Sequence, residues 1–156
     1  MASDSPARRG LSLKARAIAY LSRREHSRLE LQRKLSAHCD DPDQVQAVLN
    51  ELAAAHWQSD QRYAESYVVR QAPRQGALRI VQALRMQGVN ETDLLAIKAE
   101  LAGTEIARAR EVWAHKYAQA PADAREYARQ FRFMASRGFS PEAIHRILGG
   151  RDDSFD

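Results

Sequence analysis

The same spacing of apolar and helix-ending residues occurs three times along this chain, and that repetition restricts its fold more than any other feature. The shifts between the copies are 49 and then 50 positions. The copies are Leu35, Cys39, Val45, Val48 and Leu52, then Leu84, Gly88, Leu94, Ile97 and Leu101, then Met134, Gly138, Ile144 and Ile147. Because a unit of about 50 residues buries little apolar surface alone, such units pack against their neighbours. We therefore predict three similar units in tandem.

The residue pattern inside each copy is typical of α-helices. Ala and Leu are abundant while Val, Ile and Thr are scarce, which favours helices over strands. Residues that start or end helices recur at the boundaries of the pattern: Ser27 with Glu30, Asp41 before Pro42, Gly88, Asn90, Gly138, and Ser140 before Pro141. These signals predict nine short helices, at about 14–24, 27–38, 42–56, 60–72, 77–87, 91–102, 104–119, 122–137 and 141–148.

The predicted fold class is all-α: a tandem array of three three-helix repeat units, elongated and curved. Repeat 1 is assigned to residues 13–58, repeat 2 to residues 59–103 and repeat 3 to residues 104–150. Residues 1–12 and 151–156 lack the periodicity and are predicted to be flexible tails.

The bulk composition favours a cytoplasmic protein with a polyanionic partner. No stretch approaches the roughly 20 apolar residues that cross a bilayer, so we expect no membrane partner. The opening MASDSPARRG lacks the apolar centre of a signal peptide. The lone Cys39 excludes an intramolecular disulfide and suits a reducing compartment. The net charge of +4 favours polyanions, although a GC-rich genome also produces an excess of Arg.

No residue pattern in the sequence indicates catalysis. The five histidines are scattered, and the segment HCDDPD at residues 38–43 is explained by Asp41 and Asp43 at a helix start rather than by a metal. No glycine-rich phosphate loop and no GxSxG motif is present. We therefore predict no enzyme, no metal, no cofactor and no small-molecule substrate; a helical enzyme remains the least favoured alternative.

The aromatic residues allow two interpretations. Tyr63 with Tyr67, and Trp113 with Tyr117, are spaced to lie on one helical face, and Phe131 stands three residues before Met134. Exposed rings can stack on nucleobases. Because the repeat places these residues at equivalent inward positions, core packing is the favoured interpretation.

Residues 66–89 contain no Asp or Glu, although the whole chain is nearly balanced in charge. Within this run the helical pattern places Ala77, Ile80, Val81 and Leu84 on one face and Arg79, Gln82, Arg85 and Met86 on the other. Solvated helix faces usually mix both signs, because opposite charges one turn apart are stabilising. The arginines of the run have no evident structural role, so their presence predicts an acidic or polyanionic partner.

Three segments together resemble one protein family. RYAESYVVRQAPRQGALRIVQALRMQGV (residues 62–89) resembles the central block of the RecX family, bacterial regulators of the RecA recombinase. LSRREHSRLELQRKL (residues 21–35) and RFMASRGFSPEAIHRIL (residues 132–148) are similar to its first and last blocks. The resemblance covers about residues 14–149. The chain departs from the family at Cys39, where a helix-ending glycine is common, and at Ala77, where a proline is usual; both put local turn geometry in question.

The resemblance implies tandem three-helix units that bind the RecA–single-stranded DNA filament along its groove. It also implies lowered RecA ATP hydrolysis, strand exchange and coprotease activity, and hence modulated recombination and DNA repair. Neither catalytic residues nor cofactors come with the family.

The candidate binding residues rest on the charge argument alone. The first group is expected to meet acidic RecA surface or DNA phosphate and comprises Arg70, Arg74, Arg79 and Arg85, with Arg62 nearby. A second, weaker group comprises Arg23, Arg24, Arg28 and Lys34. The alternative function is direct, nonspecific binding of single- or double-stranded DNA by helix-turn-helix-like units.

Overall fold

The computed structural model describes residues 10–149, and within this range the chain forms nine α-helices and no strand. The helices are α1 Leu13–Arg23, α2 Arg28–Ser36, α3 Pro42–Ala54, α4 Asp60–Gln71, α5 Ala77–Met86, α6 Glu91–Ala102, α7 Glu105–Lys116, α8 Ala124–Ser136 and α9 Pro141–Leu148. The predicted all-α class and the nine helices are confirmed. The predicted tail at 151–156 and most of that at 1–12 lie outside the described residues. No helix among residues 10–149 is long and apolar enough to cross a membrane.

The predicted helix starts have the expected hydrogen bonds. Ser27 and Glu30 form a reciprocal capping box at α2. Asp41 accepts a hydrogen bond from the Asp43 N–H, which confirms that this acidic segment caps a helix. Asn90 and Ser140 cap α6 and α9 in the same way. Side-chain acceptors at these positions satisfy N–H groups that a helix leaves unpaired at its start.

Several predicted boundaries are wrong by two or three residues, among them the ends of α2 and α3, the end of α7 and the start of α8. Helix α7 ends at Lys116 rather than near residue 119, and Tyr117 has extended backbone. Helix α8 begins at Ala124, because Asp123 caps it by accepting from the Glu126 N–H. Pro121 accounts for part of the difference, since the residue before a proline is disfavoured in helical conformation. The segment between the helices is therefore longer than predicted.

Contacts divide the described chain into two compact units, the first ending at Tyr63 and the second beginning at Ala64, inside α4. The core of the first unit comprises Ala17, Leu31, Leu35, Val45, Leu49 and Leu52. In the second unit α5 packs on α6, and α7 and α8 pack on α9. The core of the α7–α9 region comprises Ala109, Tyr127, Met134, Phe139, Ile144 and Leu148. The boundaries proposed for the three repeats stay a prediction.

Equivalent positions of the predicted repeat have equivalent burial. Leu35, Leu84 and Met134 are each fully buried, and so are Val45, Leu94 and Ile144 to within one per cent. Tyr63 is buried as well, while Trp113 and Phe131 pack against the core of the α7–α9 region. The repeat spacing seen in the sequence therefore places the same positions of each copy in the core.

One buried position breaks the apolar pattern. Gln130 is 2% exposed and occupies the position that corresponds to Leu31 and Ile80 in the other copies. The indole Nε1 of Trp113 donates to Gln130 Oε1 at 2.8 Å, and Gln130 Nε2 donates to the Gln119 carbonyl at 3.3 Å. A buried amide is tolerated when its polar atoms are paired in this way.

The turn at Cys39 differs from its two counterparts. Gly88 and Gly138 have φ angles of +83° and +90°, in the left-handed region that glycine tolerates best. Cys39 is not among the positive-φ residues of the described chain. The first unit therefore closes its α2–α3 turn without a left-handed residue, which accommodates the departure from the family pattern.

Two glycine turns are in direct contact in the second unit. A Cβ added at Gly76 would lie 2.3 Å from the carbonyl carbon and oxygen of Gly138. The Gly76 N–H donates to the Arg137 carbonyl at 2.8 Å, and the Leu78 N–H donates to the Gly138 carbonyl at 3.2 Å. The start of α5 therefore rests on the end of α8 at a distance that only glycine permits.

We expect Gly76→Ala to lower the free energy of unfolding by about 1–3 kcal/mol, because the added methyl forces the two backbones apart. Gly103→Ala is the matched control, since its Cβ would meet nothing closer than 3.5 Å. Urea unfolding followed by circular dichroism measures both variants. A Gly76→Ala midpoint equal to that of Gly103→Ala would contradict the proposed close contact.

Candidate partner-binding surface

Helix α5, at the centre of the acid-free run, has no cap of its own. Its N-cap residue is Gly76, its first turn contains no acidic residue, and no side chain of the neighbouring turn caps it. Instead Glu105, the first residue of α7, accepts the Ala77 N–H through both carboxylate oxygens at 3.2 and 3.3 Å. The usual family proline would have no N–H at this position, so Ala77 permits this hydrogen bond.

Glu105 also forms an ion pair with Arg108 that supports the turn before α5. Arg108 Nη2 lies 2.6 Å from Glu105 Oε2, and both side chains are about nine-tenths buried. Arg108 Nη1 donates to the carbonyls of Ala72 and Gln75 at 3.0 and 2.6 Å. The Glu105–Arg108 pair therefore fixes both the start of α5 and the preceding turn, which carries Arg74.

The outward side of α5 combines basic and apolar residues. Ala77, Ile80, Val81 and Leu84 are buried, as predicted. The exposed side, here called the α5 face, consists of Leu78, Arg79, Gln82, Arg85 and Met86. Leu78 is 50% exposed and Met86 is 62% exposed, which is high for large apolar side chains. The α5 face therefore combines two separate exposed apolar side chains, Leu78 and Met86, with two arginines and Gln82.

The four arginines predicted to bind a partner are all exposed, but they differ in their contacts. Arg70 lies over the neighbouring Tyr67 ring at 5.8 Å. The Arg74 N–H donates to the Gln71 carbonyl at 2.9 Å, while no hydrogen bond or ion pair of the Arg74 guanidinium is found within residues 10–149. Arg79 Nη1 donates to the Ser136 carbonyl at 3.0 Å, and Arg85 binds Glu91 at 2.7 and 3.1 Å. The expectation that these arginines have no structural role is wrong for Arg79, which links α5 to the end of α8, while Arg85 has only a surface ion pair.

The Arg85–Glu91 pair lies at the surface, with the Arg85 side chain 45% exposed and the Glu91 side chain 71% exposed. Its hydrogen bonds lower the pKa of Glu91 and raise that of Arg85. Because water solvates both groups when they separate, such a surface pair contributes little to stability. A carboxylate on a partner can therefore replace Glu91.

The five basic residues predicted in the first unit are mostly engaged within it. Arg24 pairs with Glu30 at 2.6 Å, and Arg62 pairs with Glu25 at 3.2 Å. Arg28 Nη2 donates to the Gln46 and Asn50 side chains, and Lys34 Nζ contacts His26 Nε2 at 2.8 Å. Within residues 10–149, Arg23 is the member of this group without such a contact. The structure does not bring the second predicted group, Arg23, Arg24, Arg28 and Lys34, together as a set of free cations, and Arg62 of the first group is also paired.

His26 is buried beside two of these cations. It is 2% exposed, and its Nδ1–H donates to the Arg24 carbonyl at 3.1 Å. This tautomer leaves Nε2 as the acceptor for Lys34 Nζ. Burial lowers the pKa of His26, and the charges of Arg24 and Lys34 lower it further. The imidazole is therefore held neutral in the folded chain.

Sequence reasoning missed Leu78, Glu105 and Arg108. The exposed apolar residues Leu78 and Met86 could be read from the sequence, because they lie two helical turns apart on the polar side of α5. Glu105 and Arg108 have the spacing of an ordinary surface pair, and no sequence signal distinguishes them from one. Only the tertiary structure places them against the start of α5.

We expect Glu105→Ala to lower the free energy of unfolding by about 3–5 kcal/mol, because it leaves Arg108 buried without its partner. It also removes the acceptor of the Ala77 N–H. The matched control is Glu91→Ala, which removes an exposed ion pair and should change the unfolding midpoint little. Equal midpoints for the two variants in urea would show that the Glu105–Arg108 pair does not stabilise the fold.

Acidification should destabilise the chain through His26. Because its folded pKa is lowered, the unfolded chain binds this proton more readily, and stability falls as the pH drops below the ordinary value of 6.5. The urea midpoint of the wild type should therefore fall between about pH 7.5 and about pH 5.5. His26→Gln should reduce this dependence, whereas His115→Gln, at an exposed position, should preserve it. An unchanged pH dependence in His26→Gln would contradict the assignment.

Comparison with known proteins identifies the family. Family profiles described as the first, second and third three-helix domains of RecX match residues 14–52, 59–94 and 104–148. The regulatory protein RecX of Ralstonia nicotianae is 47% identical over 149 residues, covering 96% of this chain and 94% of its own. That of Leptothrix cholodnii is 46% identical over 156 residues, covering 100% of this chain and 98% of its own.

Solved structures show the same fold. The crystal structure of RecX from Lactobacillus salivarius superposes with a TM-score of 0.63 at 20% identity, covering 87% of this chain and 92% of that one. A second crystal structure, of regulatory protein RecX, superposes with a TM-score of 0.61 at 22% identity. The match covers 86% of this chain and 72% of that one. With three family domains in order and close relatives over almost the whole length, the chain belongs to the RecX family of regulatory proteins.

Proposed function

We propose that this chain binds the RecA–single-stranded DNA filament and lowers RecA ATP hydrolysis, strand exchange and coprotease activity. It acts in the cytoplasm as a binding protein, without catalytic residues or a cofactor of its own, and so modulates recombination and DNA repair. The relatives named regulatory protein RecX support a regulatory role. RecA as the partner comes from the family resemblance of the three sequence blocks.

The α5 face is the observation that carries this proposal. Leu78 and Met86 are at least half exposed, and Arg79 and Arg85 lie beside them. Protein interfaces are enriched in Met and Arg and depleted of Lys, Glu and Asp. Bare DNA phosphate would not require exposed apolar side chains such as Leu78 and Met86. The α5 face therefore fits an acidic protein surface that also offers apolar contacts to Leu78 and Met86, which we assign to RecA.

The arginines have different roles in this proposal. Arg74 is exposed in the turn that the Glu105–Arg108 pair supports, so it is available to a partner and held in place. Arg85 exchanges Glu91 for a carboxylate of RecA. Arg79 is held by the Ser136 carbonyl and helps to fix α5 on the end of α8. Association driven by such exposed charges should weaken as salt is added.

The direct test is the DNA-dependent ATPase of RecA with substoichiometric amounts of this chain. We expect the ATPase rate to fall at low salt and the inhibition to weaken at high salt, because salt screens the arginines. An unchanged rate at low salt would refute the proposed function.

The double variant Arg74→Glu/Met86→Ser should raise the concentration needed for half-maximal inhibition by about tenfold or more, equivalent to about 1.4 kcal/mol. Both side chains are exposed, so the fold should be retained. Arg146→Glu, at an exposed position on α9, is the control for a charge reversal elsewhere. Equal inhibition by the two proteins would exclude the α5 face as the binding surface.

Direct binding to DNA without RecA is the second candidate function, and the exposed Arg70, Arg74, Arg79 and Arg85 are the observation that favours it. A gel shift on bare DNA across a salt series separates the candidates. Direct binding predicts a steep salt dependence, and each phosphate-contacting arginine changed to Ala should reduce the slope by about 0.7–0.9.

A further inference from the structure

An open groove in the second unit lies between the end of α7 and the outer side of α8. We call it the Phe133 groove and define it by Lys116, Tyr117, Arg129, Phe133 and Arg137. Arg129, Phe133 and Arg137 are spaced four residues apart, so they lie along one side of α8. Lys116 ends α7, and Tyr117 follows in extended backbone. The early end of α7 is what turns Tyr117 out of the helix and towards Phe133.

Two rings and two cations meet in this groove. The Tyr117 and Phe133 ring centroids are 5.6 Å apart with the planes at 84°, an edge-to-face contact. Lys116 Nζ lies 4.7 Å from the Phe133 centroid, and the Arg137 guanidinium carbon lies 5.1 Å from it. Phe133 packs on the core of the α7–α9 region with part of its ring and remains half-exposed with the rest.

The groove carries excess positive charge. Its three cations are Lys116, Arg129 and Arg137. Within the described residues, Arg129 is the one that forms an ion pair, with Glu126 at 3.4 Å. Lys116 and Arg137 are exposed and share the Phe133 ring in place of a carboxylate. A ligand that supplies both negative charge and a flat ring would satisfy the cations and the aromatic residues together.

We propose that the Phe133 groove binds single-stranded nucleic acid, with a base stacked on Phe133 beside Tyr117 and the flanking phosphates on Lys116, Arg129 and Arg137. A cation at an exposed ring is held more weakly than a stacked base. The base therefore displaces Lys116 or Arg137 from the ring, and the displaced cation moves to the adjacent phosphate. Paired bases keep their faces stacked within the duplex, so the groove selects single strands. An acidic peptide would use the cations but not the ring.

The groove adjoins the α5 face at the end of α8. The Ser136 carbonyl accepts from Arg79, and the Arg137 carbonyl accepts from Gly76. A strand leaving the groove past Arg137 therefore reaches Arg79 and the turn of Arg74. If the bound strand is the DNA of the RecA filament, this inference rests on the proposed function. It then adds the DNA as a second ligand beside RecA.

The test is fluorescence anisotropy of labelled oligo(dT) with the full chain at low salt and without RecA. Phe133→Leu preserves apolar volume but removes the ring, and it should weaken binding by about tenfold, within the range for loss of one stacked base. Phe133→Trp should bind as well as the wild type, and thermal melting checks that both variants fold. Lys116→Gln and Arg137→Gln should each reduce the salt slope by about 0.7, while Arg146→Gln should leave it unchanged.

An abasic oligonucleotide of the same length distinguishes stacking from charge. It should bind wild type and Phe133→Leu equally weakly, because neither can stack a base on it. Failure of the wild type to bind oligo(dT), or equal binding of oligo(dT) by wild type and folded Phe133→Leu, overturns the inference. Loss of binding in Lys116→Gln with full binding in Phe133→Leu also overturns it, because it shows a site for any polyanion, acidic peptides included.

RecA ATPase measurements on the same proteins separate the two proposals. Wild type that inhibits RecA but does not bind oligo(dT) overturns the groove inference and supports the proposed function. Wild type that binds oligo(dT) through Phe133 but leaves the ATPase unchanged supports the groove and refutes the proposed function.

Discussion

The hydrogen bond from the Ala77 N–H to the Glu105 carboxylate is the contact on which the rest of the second unit depends. Helix α5 begins without a side-chain cap, and the N–H groups at its start bind Glu105 on one side and the end of α8 on the other. A helix start without such acceptors would leave polar groups buried and unpaired. The direction of α5, and with it the α5 face, is therefore set by α7 and α8.

This arrangement also explains part of the missing negative charge in residues 66–89. A helix usually carries acidic residues in its first turn, where they interact favourably with the positive end of the helix dipole. In α5 that charge comes from Glu105, which lies outside the run. The absence of acids near Gly76 thus has a structural cause, and the remaining part of the run, around Arg79, Arg85 and the exposed Met86, carries the argument for a partner.

Sequence reasoning recovered the local structure well because capping and periodicity are local. The nine helices, the capping box at Ser27 and the buried positions Leu84 and Met134 all follow from spacing within a few residues. It did not recover contacts between distant residues, such as Arg79 with Ser136 or Arg28 with Asn50. The repeat predicts Tyr117 at an inward position, but α7 ends one residue before it and Tyr117 has extended backbone. A charge pattern cannot show which cations are already paired, so the α5 face and the Phe133 groove required the structure.

The contact between Gly76 and Gly138 also bears on how the chain is made. The acceptors that complete the start of α5 include the end of α8, about 60 residues further along the chain. At a synthesis rate of about 5–20 residues per second, α5 is made roughly 3–12 s before that end exists. During this interval α6, on which α5 packs, is already made, but the acceptors at the end of α8 are still missing. The nascent chain therefore passes through a stage in which α5 and α6 exist before the contacts that complete the start of α5.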